Sequence, residues 1–268
     1  MKKMHDHTIA GYVDELKNYA NKTAPDFALE DIHHFRTNTK KLRSVLRLNG
    51  HDKKLLGHKF LKLYHIAGDL RNAQVMLAAL AKKGDRLPGL SLWLSTYIGH
   101  QVQAWDKHYS DNIFIKAGHS VLGQQKETLD LEGLRSFFKA HVSEVASIAK
   151  AAAPADEELH TIRKRIKDLV YVRQWCRHNW PDGWAATRRF SLTALQPLAD
   201  VAGDYNDQRT GLDLLAAYLA YEQKNAAIRV AKVFERRQRK AATRSKAILV
   251  SAVRRFATRF QSAKDAKA

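Results

Sequence analysis

The sequence predicts an all-α fold. Three observations lead there. Glycine is sparse, 13 in 268 residues, and the five prolines fall mostly between periodic segments. No run alternates apolar and polar residues as a half-buried strand does, and no hairpin dipeptide joins two apolar runs. A short basic helix signature occurs twice, which predicts two related halves.

The elements follow in chain order. Apolar spacing predicts helices at roughly 8–20, 27–49, 52–83 and 89–109 in a first half. A second half carries them at roughly 131–151, 156–180, 184–221 and 224–261. Pro25, Pro88 and Pro154 each precede a helical pattern, a common place for proline. Pro197 is a candidate kink. The stretch from about 110 to 130, with Gly118 and Gly123, reads as a linker. Four helices, a linker and four helices predict two four-helix bundles in one pseudo-symmetric body. The expectation is a single domain over 1–268, with halves at about 5–110 and 131–262 and a linker at about 111–130.

Charge narrows the partner. The chain has 46 Lys+Arg against 27 Asp+Glu, a formal charge of +19 and a pI near 10.0. Such an excess favours nucleic acid, an anionic membrane surface or an inorganic polyanion. A hydrophobic content of 45% excludes a disordered basic tail. The one cysteine, Cys176, excludes an internal disulfide and a cysteine zinc cluster. The start, Met1 to His7, lacks the apolar core of a signal peptide. No stretch approaches the roughly 18 apolar residues of a membrane span. The expected location is cytoplasmic.

The repeated signature carries the chemistry. Asp31-Ile32-His33 and Glu158-Leu159-His160 both open with an acid, an aliphatic residue and histidine. Arg36, Lys40 and Leu42 follow in the first copy, and Arg163, Lys167 and Leu169 at the same offsets in the second. At about 100° per residue, Ile32, Phe35, Leu42 and Leu46 fall on one core-facing arc. His33, Arg36, Lys40, Arg43 and Arg47 fall on an adjacent arc roughly 80° wide. At about 1.5 Å rise per residue this stripe is roughly 21 Å long, enough for several consecutive phosphates. A solvated helix face is the competing reading. Against it, the Arg and Lys of the stripe lack acids at three- or four-residue spacing. It also recurs in part as His160, Arg163 and Lys167, with Val170 and Gln174 replacing the next two cations. Lys164, Arg165 and Arg173 put charge on other faces of the second helix.

Two more groups join the candidates. Arg229, Lys232, Arg236, Arg239, Lys240 and Arg244 crowd the last helix, with Glu235 among them. An exposed basic C-terminal helix is the alternative there. Lys59 and Lys62 are candidates from the third helix. A second repeat follows the signature in both halves: Gly68-Asp69-Leu70-Arg71-Asn72 and Gly203-Asp204-Tyr205-Asn206-Asp207. A glycine inside a helix costs about 1 kcal/mol against alanine. Gly68 and Gly203 therefore mark either a close backbone approach or a helix break. The 13 histidines include no HExxH, and His5/His7 and His51/His58 lack ligand companions. His33 and His160 stand out by repeat position. Beside an anion each would be drawn to its charged form; packing on a neighbouring helix is the other reading.

The pattern resembles the CHAD family, the conserved histidine α-helical domain. The resemblance rests on His33-x-x-Arg36-x-x-x-Lys40-Lys41-Leu42-Arg43, on His160-x-x-Arg163-x-x-x-Lys167, and on the two Gly-Asp segments. It covers about residues 5 to 260. Asp168 and Val170 stand where the family usually has basic residues. The resemblance implies two four-helix bundles about a pseudo-twofold axis. It also implies inorganic polyphosphate bound in a basic groove or pore between them, and cytoplasmic polyphosphate granules as the location. The ExExK strand motif of the often-fused CYTH triphosphatase is absent, so a stand-alone binding domain is expected.

The residues fit this independently. Polyphosphate has no bases, so its binder needs spaced Lys and Arg rather than stacking platforms. The candidate ligand set is His33, Arg36, Lys40, Arg43, Arg47, Lys59 and Lys62 in the first half. The second half adds His160, Arg163, Lys164 and Lys167, then Arg229, Lys232, Arg236, Arg239 and Lys240. No P-loop or convincing carboxylate cluster is visible, so neither catalysis, metal nor cofactor is expected. A nucleic-acid-binding helical protein is the alternative, with nucleic acid expected to bind more weakly than polyphosphate. A metal-dependent polyphosphate-processing enzyme would have to use Asp69, Asp204 or Asp207.

Overall fold

The computed structural model describes residues 9–51, 53–83, 87–123 and 130–265. Every regular element among them is helical. In order they are α1 (Ile9–Asp26), α2 (Leu29–Leu48), a 3-10 turn (Lys53–Leu56), α3 (His58–Lys83), α4 (Pro88–His108) and α5 (Asp111–Gly123). There follow α6 (Leu131–Ala149), α7 (Asp156–Asn179), α8 (Pro181–Ala186), α9 (Leu192–Tyr221) and α10 (Asn225–Asp265). No helix is long and apolar enough to cross a membrane among the described residues.

The predicted helices are present, and local chemistry explains their limits. Pro88 and Pro181 open α4 and α8, where a missing N–H costs nothing. Asp130 caps α6 by accepting from the Gly133 amide, and Glu158 reaches back to the Ala155 amide at the start of α7. Pro25 does not precede a helix; it lies in the last turn of α1. The turn into α2 falls at Phe27, whose φ of 49° is left-handed. Its buried ring and a 2.8 Å hydrogen bond from Gln74 Nε2 to its carbonyl hold that conformation. The predicted helix at 52–83 is divided at Gly57, which takes a φ of 80°. The one predicted at 184–221 is two helices, separated by residues 187–191. Pro197 lies inside α9, which runs through it.

The expected linker is largely a helix. Residues 111–123 form α5, which packs on α1 and α3. Its Phe114 joins an aromatic cluster with Phe35, Phe60 and Trp105, with centroids 5.4 Å apart for Phe35–Trp105 and 5.7 Å for Phe60–Phe114. Edge-to-face pairs of this kind add about 0.5–1.5 kcal/mol beyond burial. Gly118 is a packing glycine rather than a breaker: a Cβ there would lie 3.1 Å from Val13 Cγ1.

The chain divides into two compact units. One comprises residues 1–127 and 211–236, the other 128–210 and 237–268. This partition differs from a simple cut into successive halves, because α9 and α10 each contribute to both units. The reason lies in the first unit. The α3–α4 pair, with Leu87 just before α4, presents Ala73, Leu80, Leu87, Leu90 and Leu94, and Leu215, Tyr218, Ala231 and Phe234 of α9 and α10 bury them in one cluster. In the second unit α6, α7 and α8 pack together, with Leu134, Phe138, Leu159, Ile162, Ile166 and Leu169 buried. Arg254 of α10 donates to the carbonyls of Ala151 and Ala152 at 2.8 and 3.0 Å.

Candidate functional site

Helix α2 buries Ile32, Phe35, Leu42, Val45 and Leu46. The adjacent arc carries His33, Arg36, Lys40, Arg43 and Arg47, all half-buried, as the helical period predicts. Two of these side chains lean on α3. Arg36 Nη1 donates to the Tyr64 carbonyl at 3.0 Å, and the guanidinium lies 4.9 Å from the centre of the Tyr64 ring. Arg43 approaches the same ring at 5.3 Å. Such cation–π contacts fix a guanidinium without neutralising it.

Gly68 makes the Arg36 position possible. A Cβ there would meet Arg36 Nη1 head-on, with Cζ at 3.0 Å and Nη2 at 3.2 Å. The close approach that tolerates this glycine is therefore a guanidinium rather than a backbone. Gly203 is different: nothing lies within 4 Å of its would-be Cβ. Asp69 follows Gly68; desolvation pushes its carboxyl up, while Arg36 and His65 pull it down.

Arg71 belongs to this face and was not among the predicted ligands, nor was Tyr64. Burial lowers the His33 imidazole first, and the charge of Arg71 second, with Lys40 and His34 adding and Glu30 opposing. The Nε atoms of Arg43 and Arg71 are buried and hydrogen-bond to no protein atom. The signal for both missed residues was in the sequence. Tyr64 is four residues before Gly68 and Arg71 three after, so all three share one face of α3.

The second signature forms a weaker face within its own unit. His160 Nδ1 lies 3.3 Å from Asn206 Oδ1 of α9. Asn206 is the repeat counterpart of Arg71: the residue three after the glycine bears on the signature histidine through charge in the first copy and through a side-chain contact in the second. Burial lowers the His160 imidazole, followed by Lys164; Asn206 opposes, and Arg163 lowers it further. Arg163 is half-buried, with an Nε that is buried and unbonded. Lys167 is lowered by burial and by Arg163, against Asp200, 3.9 Å away, and Asp207. Carboxylates thus answer part of this charge.

The remaining candidates separate. Lys164 is exposed. Arg165 pairs with Glu144 at 2.6 Å. Arg173 is not surface charge: it is buried, donates to Thr187 Oγ1 at 2.7 Å and to the Trp184 carbonyl, and stacks 3.1 Å from the Trp184 ring centre. Burial lowers its pKa to about 10. Asp168 and Val170 are also buried, Asp168 at 3.4 Å from His141 Nε2. Arg229, Lys232, Arg236, Arg239 and Lys240 are all exposed along α10, the first three in one unit and the last two in the other. Lys59 and Lys62 are exposed too, but lie about 150° around α3 from the Tyr64–Gly68–Arg71 face. Lys2, Lys3, His5 and His7 lie outside the described residues. Among the described residues no three His, Cys, Asp or Glu side chains cluster as a metal site.

The α2–α3 face, with its paired Arg36 and Gly68, is the setting in which relatives become informative. The CHAD domain family model matches residues 7–216. The chain belongs to the CHAD family. A crystal structure of the CHAD domain from the plant Ricinus communis is similar in fold, with a TM-score of 0.74 and 16% identity over 91% of this chain and 88% of that one. A search of curated proteins finds no relative close enough in sequence to match. At such identity the likeness to the plant CHAD domain concerns the fold.

Proposed function

We propose that this CHAD protein binds inorganic polyphosphate along the cationic face of α2 and α3, with a weaker track on α7, and does not cleave it. CHAD domains are associated with polyphosphate-related proteins. The observation that carries the reading is the row His33, Arg36, Lys40, Arg43 and Arg47 with Arg71 beside it, all half-buried, with Arg36 and Arg43 held on Tyr64 of α3 rather than loose in solvent. Arginines fixed in this way lose less entropy when they grip phosphate oxygens. Tyr64 supports the choice of ligand. Its ring is buried and serves Arg36 and Arg43, so it offers no stacking platform to a base. The same reading puts the protein with cytoplasmic polyphosphate stores.

The test is competition at physiological salt between long-chain polyphosphate and single- or double-stranded nucleic acid. Polyphosphate should win, and its affinity should fall steeply as salt rises, because a linear polyanion releases counterions when bound. A flat salt response, or a defined RNA that outcompetes polyphosphate, overturns the proposal.

A further inference from the structure

Lys59 and Lys62 belong to a concavity on the far side of α3 from the α2 row. It is lined by the 3-10 turn, the start of α3, the end of α4 and the start of α5, all within the first unit. Four lysines converge there: Lys59 and Lys62 from α3, Lys107 from α4 and Lys116 from α5. His58 and His108 add two imidazoles, and among the described residues no carboxylate lines the pocket. None of the four lysines pairs with a carboxylate among the described residues. Two acids lie close by in sequence and neither lines the pocket: Asp106 is exposed on α4 beside Lys107, and Asp111 is held by Lys17 at 3.2 Å and by the Tyr109 hydroxyl at 2.9 Å.

The electrostatics are one-sided. Four ammonium groups on three helices repel one another, and a concave wall raises their shared potential. The strain registers on His108: after desolvation, Lys62, Lys107 and Lys59 all lower its pKa. The pocket also lies at the starts of α3 and α5, whose first-turn amides carry partial positive charge. The end of α4 opposes them, and Lys107 and His108 in its last turn offset that. Such an array has no structural use for its charge within the fold.

We propose that this pocket is a second anion site, for a small phosphate group bearing two or more charges: free pyrophosphate or the free end of a longer phosphate chain. The concavity has room for a compact group, whereas the α2 row is linear. Lysines suit a rotating terminal phosphate, each acting as a mobile point charge. Ser110 and Asn112 on the wall supply neutral hydrogen bonds. The pyrophosphate site stands apart from the polyphosphate reading; its assignment to the free end of a bound chain rests on that reading.

The test titrates pyrophosphate into the full chain at constant ionic strength. The variants are Lys62→Gln/Lys107→Gln and, as a charge-matched control on and just past α6, Lys139→Gln/Lys150→Gln. The pocket pair should lose at least tenfold in affinity, about 1.4 kcal/mol, and the control less than twofold. The His108 imidazole resonances should shift on titration in the wild type. Absence of that shift, or equal loss in both variants, overturns the proposal. If the double variant melts early, Lys116→Gln alone gives the same reading at smaller amplitude. A chain with both ends esterified separates the sources. Its affinity should be indifferent to the pocket pair; an equal loss would mean that the pocket grips chain interiors and would overturn the terminal assignment. Variants of the α2 row are made separately, so failure at either place leaves the other standing.

Discussion

Replacing each repeat glycine with alanine should have opposite effects. In a helix interior alanine is favoured over glycine by about 1 kcal/mol. Gly203→Ala meets nothing within 4 Å and should keep that gain. Gly68→Ala places a methyl where the Arg36 guanidinium sits. The side chain yields, since its end is flexible, and so loses the 3.0 Å hydrogen bond to the Tyr64 carbonyl and the contact with the Tyr64 ring. A charged hydrogen bond is worth about 1.5–3 kcal/mol and a partly exposed cation–π contact about 0.5–1. Less the helix gain, Gly68→Ala should destabilise by about 1–3 kcal/mol. Thermal melts should move roughly 2–4 °C per kcal/mol, down for Gly68→Ala and up for Gly203→Ala. Polyphosphate affinity should drop about tenfold in the first variant only, about 1.4 kcal/mol. If Gly68→Ala raises the melting temperature as Gly203→Ala does, Arg36 does not occupy the notch and its placement is refuted.

Replacing Arg36 and Lys40 together with alanine should weaken polyphosphate binding more than tenfold, or about 1.4 kcal/mol, while Lys2→Ala/Lys3→Ala changes it little; equal losses in an equilibrium titration would mean that only net charge matters. Acid should strengthen binding: His33 and His160 are held below the ordinary value near 6.5, and a polyanion favours their charged forms. Affinity should therefore rise from about pH 8 to about pH 5.5, and His33→Gln/His160→Gln should flatten the profile. The unliganded fold should respond the other way. The unfolded chain takes up these protons first, so chemical denaturation should find stability falling as pH drops below about 6.5. Polyphosphate length, followed by gel electrophoresis, should stay unchanged with Mg²⁺ or Mn²⁺; phosphate release that vanishes in Asp204→Ala would overturn the binding-only reading.

The helices and the α2 row were legible because both follow the 3.6-residue period. Apolar and cationic residues sort onto adjacent arcs without knowledge of neighbours. The errors have another origin. Gly118 has the composition of a linker and the role of a contact: only the position of Val13, some hundred residues earlier, distinguishes them. Arg173 looks like surface charge until Thr187 and Trp184 surround it. Lys59 and Lys62 share a helix with Arg71 but face another wall. Periodicity sorts residues within one helix; the partner of each face is set by long-range packing.

Synthesis order gives the interleaved units a further meaning. When residue 127 leaves the ribosome, Leu80, Leu90 and Leu94 of the α3–α4 pair still await Leu215, Tyr218, Ala231 and Phe234. The unit begun first is completed only after residues 128–210 have been made. A nascent chain must therefore carry an uncovered leucine surface through about a hundred residues of translation, a time in which sticky intermediates gather. Severing the chain near residue 127 would make that passing state permanent.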